Sequence, residues 1–166
     1  MSESAESRYE KYARDRVADM RTSADSRAFT LSYNVLQLSQ MLVNDLESHV
    51  HRPCGLTLPG FRLMFKLWLL GPTQSARLAE MSVLTRSAVS NLVNTLERDG
   101  FVERSRTVAD RRLVYVDLTD RGRAIVTEAF ELQTRRERAW FAALDEAEQV
   151  RFVAMMRKLI ESRPQE

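Results

Sequence analysis

The chain has 166 residues, 44% of them hydrophobic, with only five glycines and four prolines, which suits a mostly helical fold with a sizeable core. Its formal charge is +2, from 25 basic and 23 acidic residues, so it is no generic polycation, and affinity for a polyanion must come from where charges are placed. One cysteine excludes an intramolecular disulfide, no apolar run approaches the ~20 residues of a membrane span, and the polar start Met1–Glu6 lacks a secretory signal's form, so a soluble cytoplasmic protein with no membrane partner is expected.

Residues 1–26 are a polar extension. Tyr9, Tyr12, Val17 and Met20 give it a weak amphipathic pattern over Tyr9–Arg21, read either as a partly ordered tail or as an extra helix on a dimer. Residues 27–56 hold a first long helix, Arg27 to His49, with a wide apolar face of Phe29, Leu31, Val35, Leu36, Leu38, Met41, Leu42 and Leu46, followed by a loop. Thr57 then caps a helix from Leu58 to Leu70, with Pro59 in its first turn. That helix is apolar almost all round and is expected to be buried centrally, and Gly71-Pro72 ends it.

Residues 57–119 carry the chemistry. Thr73 is expected to cap a short helix, Gln74 to Met81, with Leu78 and Ala79 inward. Ser82-Val83-Leu84 makes a brief turn, and Thr85 caps the next helix, on which Val89, Leu92, Val93 and Leu96 form one apolar stripe. Arg86, Ser87, Ser90, Asn91 and Asn94 fall on the other side. Short hydrogen-bonding side chains with one arginine suit base edges in a major groove, whereas a merely solvated face usually carries Glu/Lys pairs. Two helices joined by so short a turn form a helix-turn-helix with the second as reader. Thr73, Gln74 and Ser75, at a helix N-terminus, are candidate phosphate binders.

Gly100 suits the left-handed position after the reading helix. Two β-like runs follow, Phe101 to Arg106 and Leu113 to Leu118, and the loop between them places Asp110, Arg111 and Arg112 at a hairpin tip. A helix-turn-helix followed by a basic hairpin is a winged helix. Every basic residue from Arg77 through Arg86, Arg104, Arg106, Arg111 and Arg112 is arginine, whose planar fork fits guanine, phosphate and narrow minor grooves. The competing account pairs Arg104 and Arg106 with Glu103 or Asp110 on a solvated hairpin.

Residues 120–166 supply two more helices. Thr119 opens one through about Ala142, and Asp145 with Glu148 forms a capping-box-like start for the last. Val150, Phe152, Val153, Met155, Met156, Leu159 and Ile160 make the last helix too apolar to stand in water, so its face is expected to bury in a second copy of the chain. The fold class is thus mainly α with a small β-hairpin wing (α+β), the N- and C-terminal helices forming a dimerisation layer. A two-fold dimer would present its reading helices about one DNA turn apart, ~34 Å.

Leu56-Thr57-Leu58-Pro59, Leu96-Glu97-Arg98-Asp99-Gly100-Phe101-Val102-Glu103-Arg104, Asp110-Arg111-Arg112 and Leu118-Thr119-Asp120-Arg121-Gly122, in this order and spacing, resemble the MarR family of bacterial transcription regulators over roughly positions 28 to 162. The resemblance implies a homodimer that binds a pseudo-palindromic operator on double-stranded DNA, usually as a repressor released by a small ligand or an oxidant. It also implies that Arg112 enters the minor groove from the wing tip and that Asp110 orients it.

Three readings of the signal compete. A small aromatic or phenolic effector would sit in the crevice the resemblance suggests, lined by Tyr33, Gln37, Met41, Phe61, Met64, Phe65 and Trp68, with Arg62 holding a carboxylate; the plain alternative is that this stripe is core. Cys54 could sense peroxide if Arg52 and the two histidines lower its pKa. His49, His51 and Cys54 could ligate a metal, although a fourth ligand would have to come from elsewhere. No cofactor is expected. The chain lacks a glycine-rich phosphate loop and a nucleophile elbow, so it is not expected to be an enzyme. The rival of another class is a winged-helix protein-docking module, for which a basic wing tip would have no use.

Overall fold

The computed structural model describes residues 8–19, 25–82, 84–106, 114–162 and 164. The chain divides into two compact units, Met1–Asp45 and Leu46–Glu166.

In the first unit the N-terminal amphipathic pattern forms a helix, α1, Arg8–Asp19. It packs on α2, Ser26–Leu46, whose last residue opens the second unit. Asn34 Nδ2 donates to Glu10 Oε1 at 2.7 Å, and the Tyr9 and Tyr33 rings lie 5.8 Å apart. Asp25 caps α2, its Oδ1 accepting the N–H groups of Arg27 and Ala28 at 2.8 and 3.2 Å. Leu31, Val35, Leu36, Leu38 and Met41 are exposed on α2, while Phe29 and Leu42 are half-buried and Leu46 is buried.

The second unit begins with a π-helical turn, Glu47–His51, in which Arg52 N–H donates to the Glu47 carbonyl five residues back at 3.0 Å. The apolar period of the sequence continues an ordinary helix through His49, and the structure departs from it there. Helix α3, Leu58–Leu70, starts as expected: Thr57 accepts from Gly60 N–H at 3.2 Å. A second cap has no local signal, Glu47 Oε1 accepting Leu58 N–H at 2.6 Å. Phe61, Leu63, Met64 and Leu67 are buried, but Trp68, Leu69 and Leu70 are 43–60% exposed. Burial therefore holds for Leu58, Gly60, Phe61, Leu63, Met64 and Leu67, while Pro59 and Arg62 are exposed and the last turn, Trp68 to Leu70, lies on the surface of its unit.

Past Gly71 the chain departs from expectation. Thr73 does not cap a helix: Thr73–Gln74 is a short strand, β1, paired antiparallel with β3, Val114–Leu118. Helix α4 is Ser75–Glu80, with Gln74 as its cap and no side-chain cap bond. The sheet has three antiparallel strands in the order β1-β3-β2, where β2 is Val102–Arg106, rather than the two of a bare hairpin. Two residues carry too little periodicity to announce a strand; only the partner reveals it.

Helix α5, Arg86–Arg98, ends in a Schellman turn. Gly100 sits at φ 74°, Phe101 N–H donates to the Leu96 carbonyl at 2.9 Å, and Gly100 N–H donates to that of Glu97 at 3.0 Å. Helix α6, Asp120–Phe141, starts against this turn: Thr119 accepts from Gly122 N–H at 3.0 Å and donates to the Gly100 carbonyl at 2.8 Å. A Cβ on Gly122 would lie 1.9 Å from the Phe101 carbonyl oxygen, so only glycine permits this approach. Helix α7, Glu146–Glu161, has the expected capping box of Asp145 and Glu148 and buries none of its residues within the chain. Among the described residues, no helix is long and apolar enough to cross a membrane.

Candidate nucleic-acid interface

The amphipathic division read for α5 is realised. Val89, Val93 and Leu96 are buried at 1, 0 and 4% exposure, and Leu92 is half-buried. Thr85 caps the helix by accepting Ala88 N–H at 3.2 Å and also shares a hydrogen bond with the Ser87 hydroxyl. Ser87, Ser90, Asn91 and Asn94, spaced i, i+3, i+4 and i+7, are all exposed along one outward stripe, with Arg86 at its flank. Such a stripe offers donors and acceptors within reach of base edges.

Arg104 leaves β2 and turns toward α5. Its Nη1 pairs with the Glu97 carboxylate, and its Nη2 donates to Asn94 Oδ1 at 2.7 Å. The sequence offers Glu103 or Asp110 as its partner; the observed partners lie on the reading helix, and the side chain is only 28% exposed. Glu97 carries no signal of this role, because nothing local links it to a strand seven residues on. The backbone of Arg106 pairs with Val114. Its side chain and Asp110, Arg111 and Arg112 lie outside the described residues.

The α4 candidates separate. Thr73 is buried and its hydroxyl donates to the Gly71 carbonyl at 2.9 Å. Gln74 Nε2 donates to the Tyr115 hydroxyl at 3.1 Å, Ser75 is half-buried, and Arg77 is exposed.

The residues proposed to line an effector site also part company. Phe61 and Met64 are core, 3 and 0% exposed, as the plain reading of that stripe has it. Phe65 and Trp68 stack at 5.7 Å, and Phe130 of α6, not singled out in the sequence, joins them at 4.9 Å from Phe65 and 6.5 Å from Trp68. Arg62 is exposed. In the other unit Tyr33 stacks on Phe29, Gln37 Nε2 donates to the Tyr33 hydroxyl at 2.8 Å, and Met41 is exposed.

Neither sensor reading of the Cys54 turn gains support. Burial and the nearby Glu128 carboxylate push the Cys54 thiol up, the reverse of what a peroxide-reactive thiolate needs. His51 is fully buried against the Phe61 ring, 4.9 Å away, whereas His49 is exposed. Among the described residues no three His, Cys, Asp or Glu side chains are placed to hold an ion. Burial lowers the His51 pKa, with the Arg62 charge adding to the effect and Glu47 opposing it. Among the described residues, neither ring nitrogen has a hydrogen-bond partner.

Residues 56–114, from just before α3 to the first residue of β3, match the sequence model of the MarR family. The chain is 33% identical over 107 residues to the HTH-type transcriptional repressor Mb2911 of Mycobacterium bovis, an alignment spanning 64% of this chain and 77% of that protein. Its fold is similar to that of a mutant MarR of E. coli complexed with operator DNA (TM-score 0.73, 19% identity, covering 82% of this chain and 99% of the other). It is likewise similar to the organohalide-sensing regulator RdhR in its 2,4-dichlorophenol-bound form (TM-score 0.76, 19% identity, 85% and 83% covered). With the helix-turn-helix and β2 inside the matched segment and a 33%-identical relative covered over 77% of its length, the chain belongs to the MarR family of transcriptional regulators.

Proposed function

We propose that this chain is a DNA-binding repressor that reads a pseudo-palindromic operator as a homodimer. The observation that carries the reading is the outward stripe of α5: Ser87, Ser90, Asn91 and Asn94 are exposed while every fully buried α5 residue is apolar. Laid in a major groove, that stripe meets base edges, and Arg86 and Arg77 meet phosphates. Arg111 and Arg112, with Asp110 orienting the latter, extend the contact into the neighbouring minor groove.

The apolar faces left exposed support the dimer. Exposed Val150, Met155, Leu159 and Ile160 on α7, and Leu31, Val35 and Leu36 on α2, would each gain about 1.5–3 kcal/mol on full burial against a second copy. The effector is a small aromatic ligand docking on the exposed Trp68–Phe130 edge of the stack, with Arg62 as its anion partner; the dichlorophenol complex of RdhR lends this support by analogy of fold. Such a ligand releases DNA only if it binds the non-reading arrangement of the dimer more tightly.

Fluorescence anisotropy of the full chain on the promoter adjoining its own gene tests the reading. With ~6–10 phosphate contacts per dimer, affinity should fall by about three to five orders of magnitude between 50 and 200 mM salt. Binding indifferent to salt, or absent from that promoter and from random duplex alike, would overturn it. Arg112→Ala should weaken binding severely while leaving the dimer intact.

A further inference from the structure

Helix α5 and strand β2 spread from one vertex, the turn Asp99-Gly100-Phe101, and a tie crosses between the two arms a few residues out. Arg104 Nη1 pairs with the Glu97 carboxylate, while Nη2 donates to Asn94 Oδ1 at 2.7 Å. Asn94 and Glu97 lie three residues apart and so share one side of the helix. A planar fork gripped at two points about one turn apart cannot pivot as a single contact can. The vertex is fixed separately: Thr119 donates to the Gly100 carbonyl at 2.8 Å, and the Arg121 guanidinium lies 4.8 Å over the Phe101 ring. Those contacts hold the turn, whereas the Arg104 fork holds the spread of the arms. Among the described residues, no other side-chain hydrogen bond joins α5 to β2.

Glu97 is out of place on charge alone. A carboxylate beside a helix that reads DNA repels phosphate, so a bystander there should weaken binding to every duplex, and its removal should strengthen it. Its place opposite Arg104 accounts for it. The two side chains are 38 and 28% exposed, and water screens such a pair less than one on open surface.

We propose that Glu97 is a positioning residue for operator reading: through Arg104 it holds β2 at a set angle to α5, so that the reading helix and the arginines beyond β2 reach adjoining grooves together. This deepens the DNA-reading function above and rests on it. Random duplex, held by phosphate contacts in any register, does not need that angle. Loss of Glu97 should therefore act on the operator with the sign opposite to that of its charge.

The test uses the full chain, an operator obtained by selection from a random-sequence duplex pool, and random duplex at the same salt concentration. Glu97→Ala should lower operator affinity by roughly 5- to 100-fold, what one good base contact is worth. Its affinity for random duplex should stay level or rise. Arg104→Met should lower the ratio of operator to random affinity as well, and the double variant should fall no further than the worse single one, since both break the same tie. Equal gains or equal losses on the two duplexes in folded Glu97→Ala, an unchanged ratio, or additive losses in the double variant would each overturn the proposal. Should Glu97→Ala fail to fold, Glu97→Gln, which keeps the shape and gives up the charge, decides by the same sign. If the wild type selects no sequence at all, the DNA-reading function falls and this inference falls with it.

Discussion

Helices α5 and α7 are both amphipathic on paper, yet they use their apolar residues in opposite ways. On α5 the stripe is spent inside the chain, Val89, Val93 and Leu96 buried (Val93 at 0% exposure) and Leu92 half-buried. On α7 no residue is buried: Leu159 and Ile160 stand 64 and 63% exposed. A helix of the first kind is held by its own fold and can give its other face to a ligand. On the proposed reading, a helix of the second kind is the dimer interface, since so contiguous an apolar face suits association. Recognition and assembly would then be divided between helices, and substitutions should separate them.

The harshest break is at the end of α5. Gly122→Ala sets a methyl group 1.9 Å from the Phe101 carbonyl, a backbone atom that cannot rotate away. We expect a loss beyond about 4 kcal/mol and a chain that does not fold at ~37 °C. A cooperative melt within a few degrees of wild type would show that α6 does not dock on the Schellman turn as described. Less severe is Leu96→Ala, which empties a site 4% exposed and should cost about 2–5 kcal/mol in urea unfolding. A loss under ~1 kcal/mol would mean that the α5 stripe is not core.

The matching change on α7 should look different. Leu159→Arg removes a side chain that touches little within the chain, so the winged-helix core should lose only a few tenths of a kcal/mol, as exposed substitutions do. Its effect should instead be on assembly: monomers at micromolar concentration by light scattering, and a melting temperature that no longer rises with protein concentration. A variant that remains dimeric would move the interface off α7.

How far these contrasts can be read from sequence depends on the range of the interactions. The caps of α3, α5, α6 and α7 are legible because Thr57, Thr85, Thr119 and Asp145 each act three residues away, as is Gly100 at the end of α5. Strand β1 is not, since its pairing with Val116 and Tyr115 spans some forty residues and its own length is two. The polar stripe of α5 is visible from spacing alone. The clamp on Asn94 is hidden, because it needs the strand register that brings Arg104 beside Glu97. Phe130 escapes notice for the same reason: its partners Phe65 and Trp68 lie on a helix remote in sequence. Cys54 beside Arg52 and two histidines suggests an acidic thiol, but burial and Glu128, neither of them local, decide the other way.

The mildest effect belongs to His51, packed in the turn that precedes α3. Buried against Phe61 with both nitrogens unpartnered among the described residues, it resists protonation, so its pKa in the folded chain lies below the ordinary 6.5. The unfolded chain therefore binds the proton more readily, and folding stability is fully present above pH ~6.5 and declines as pH falls through the window down to the folded value. Glu47 opposes the shift and Arg62 reinforces it, so the sign rests on burial, the largest cause. One proton contributes a slope of at most about 1.4 kcal/mol per pH unit. His51→Leu removes the titrating group and replaces two unsatisfied buried nitrogens with hydrocarbon, so at pH ~7.5 the variant should be no less stable than wild type. Below about pH 6.5 its urea midpoint should fall less steeply. Parallel pH profiles for the two proteins would show that His51 finds a proton acceptor in solution and that its burial is relieved on protonation.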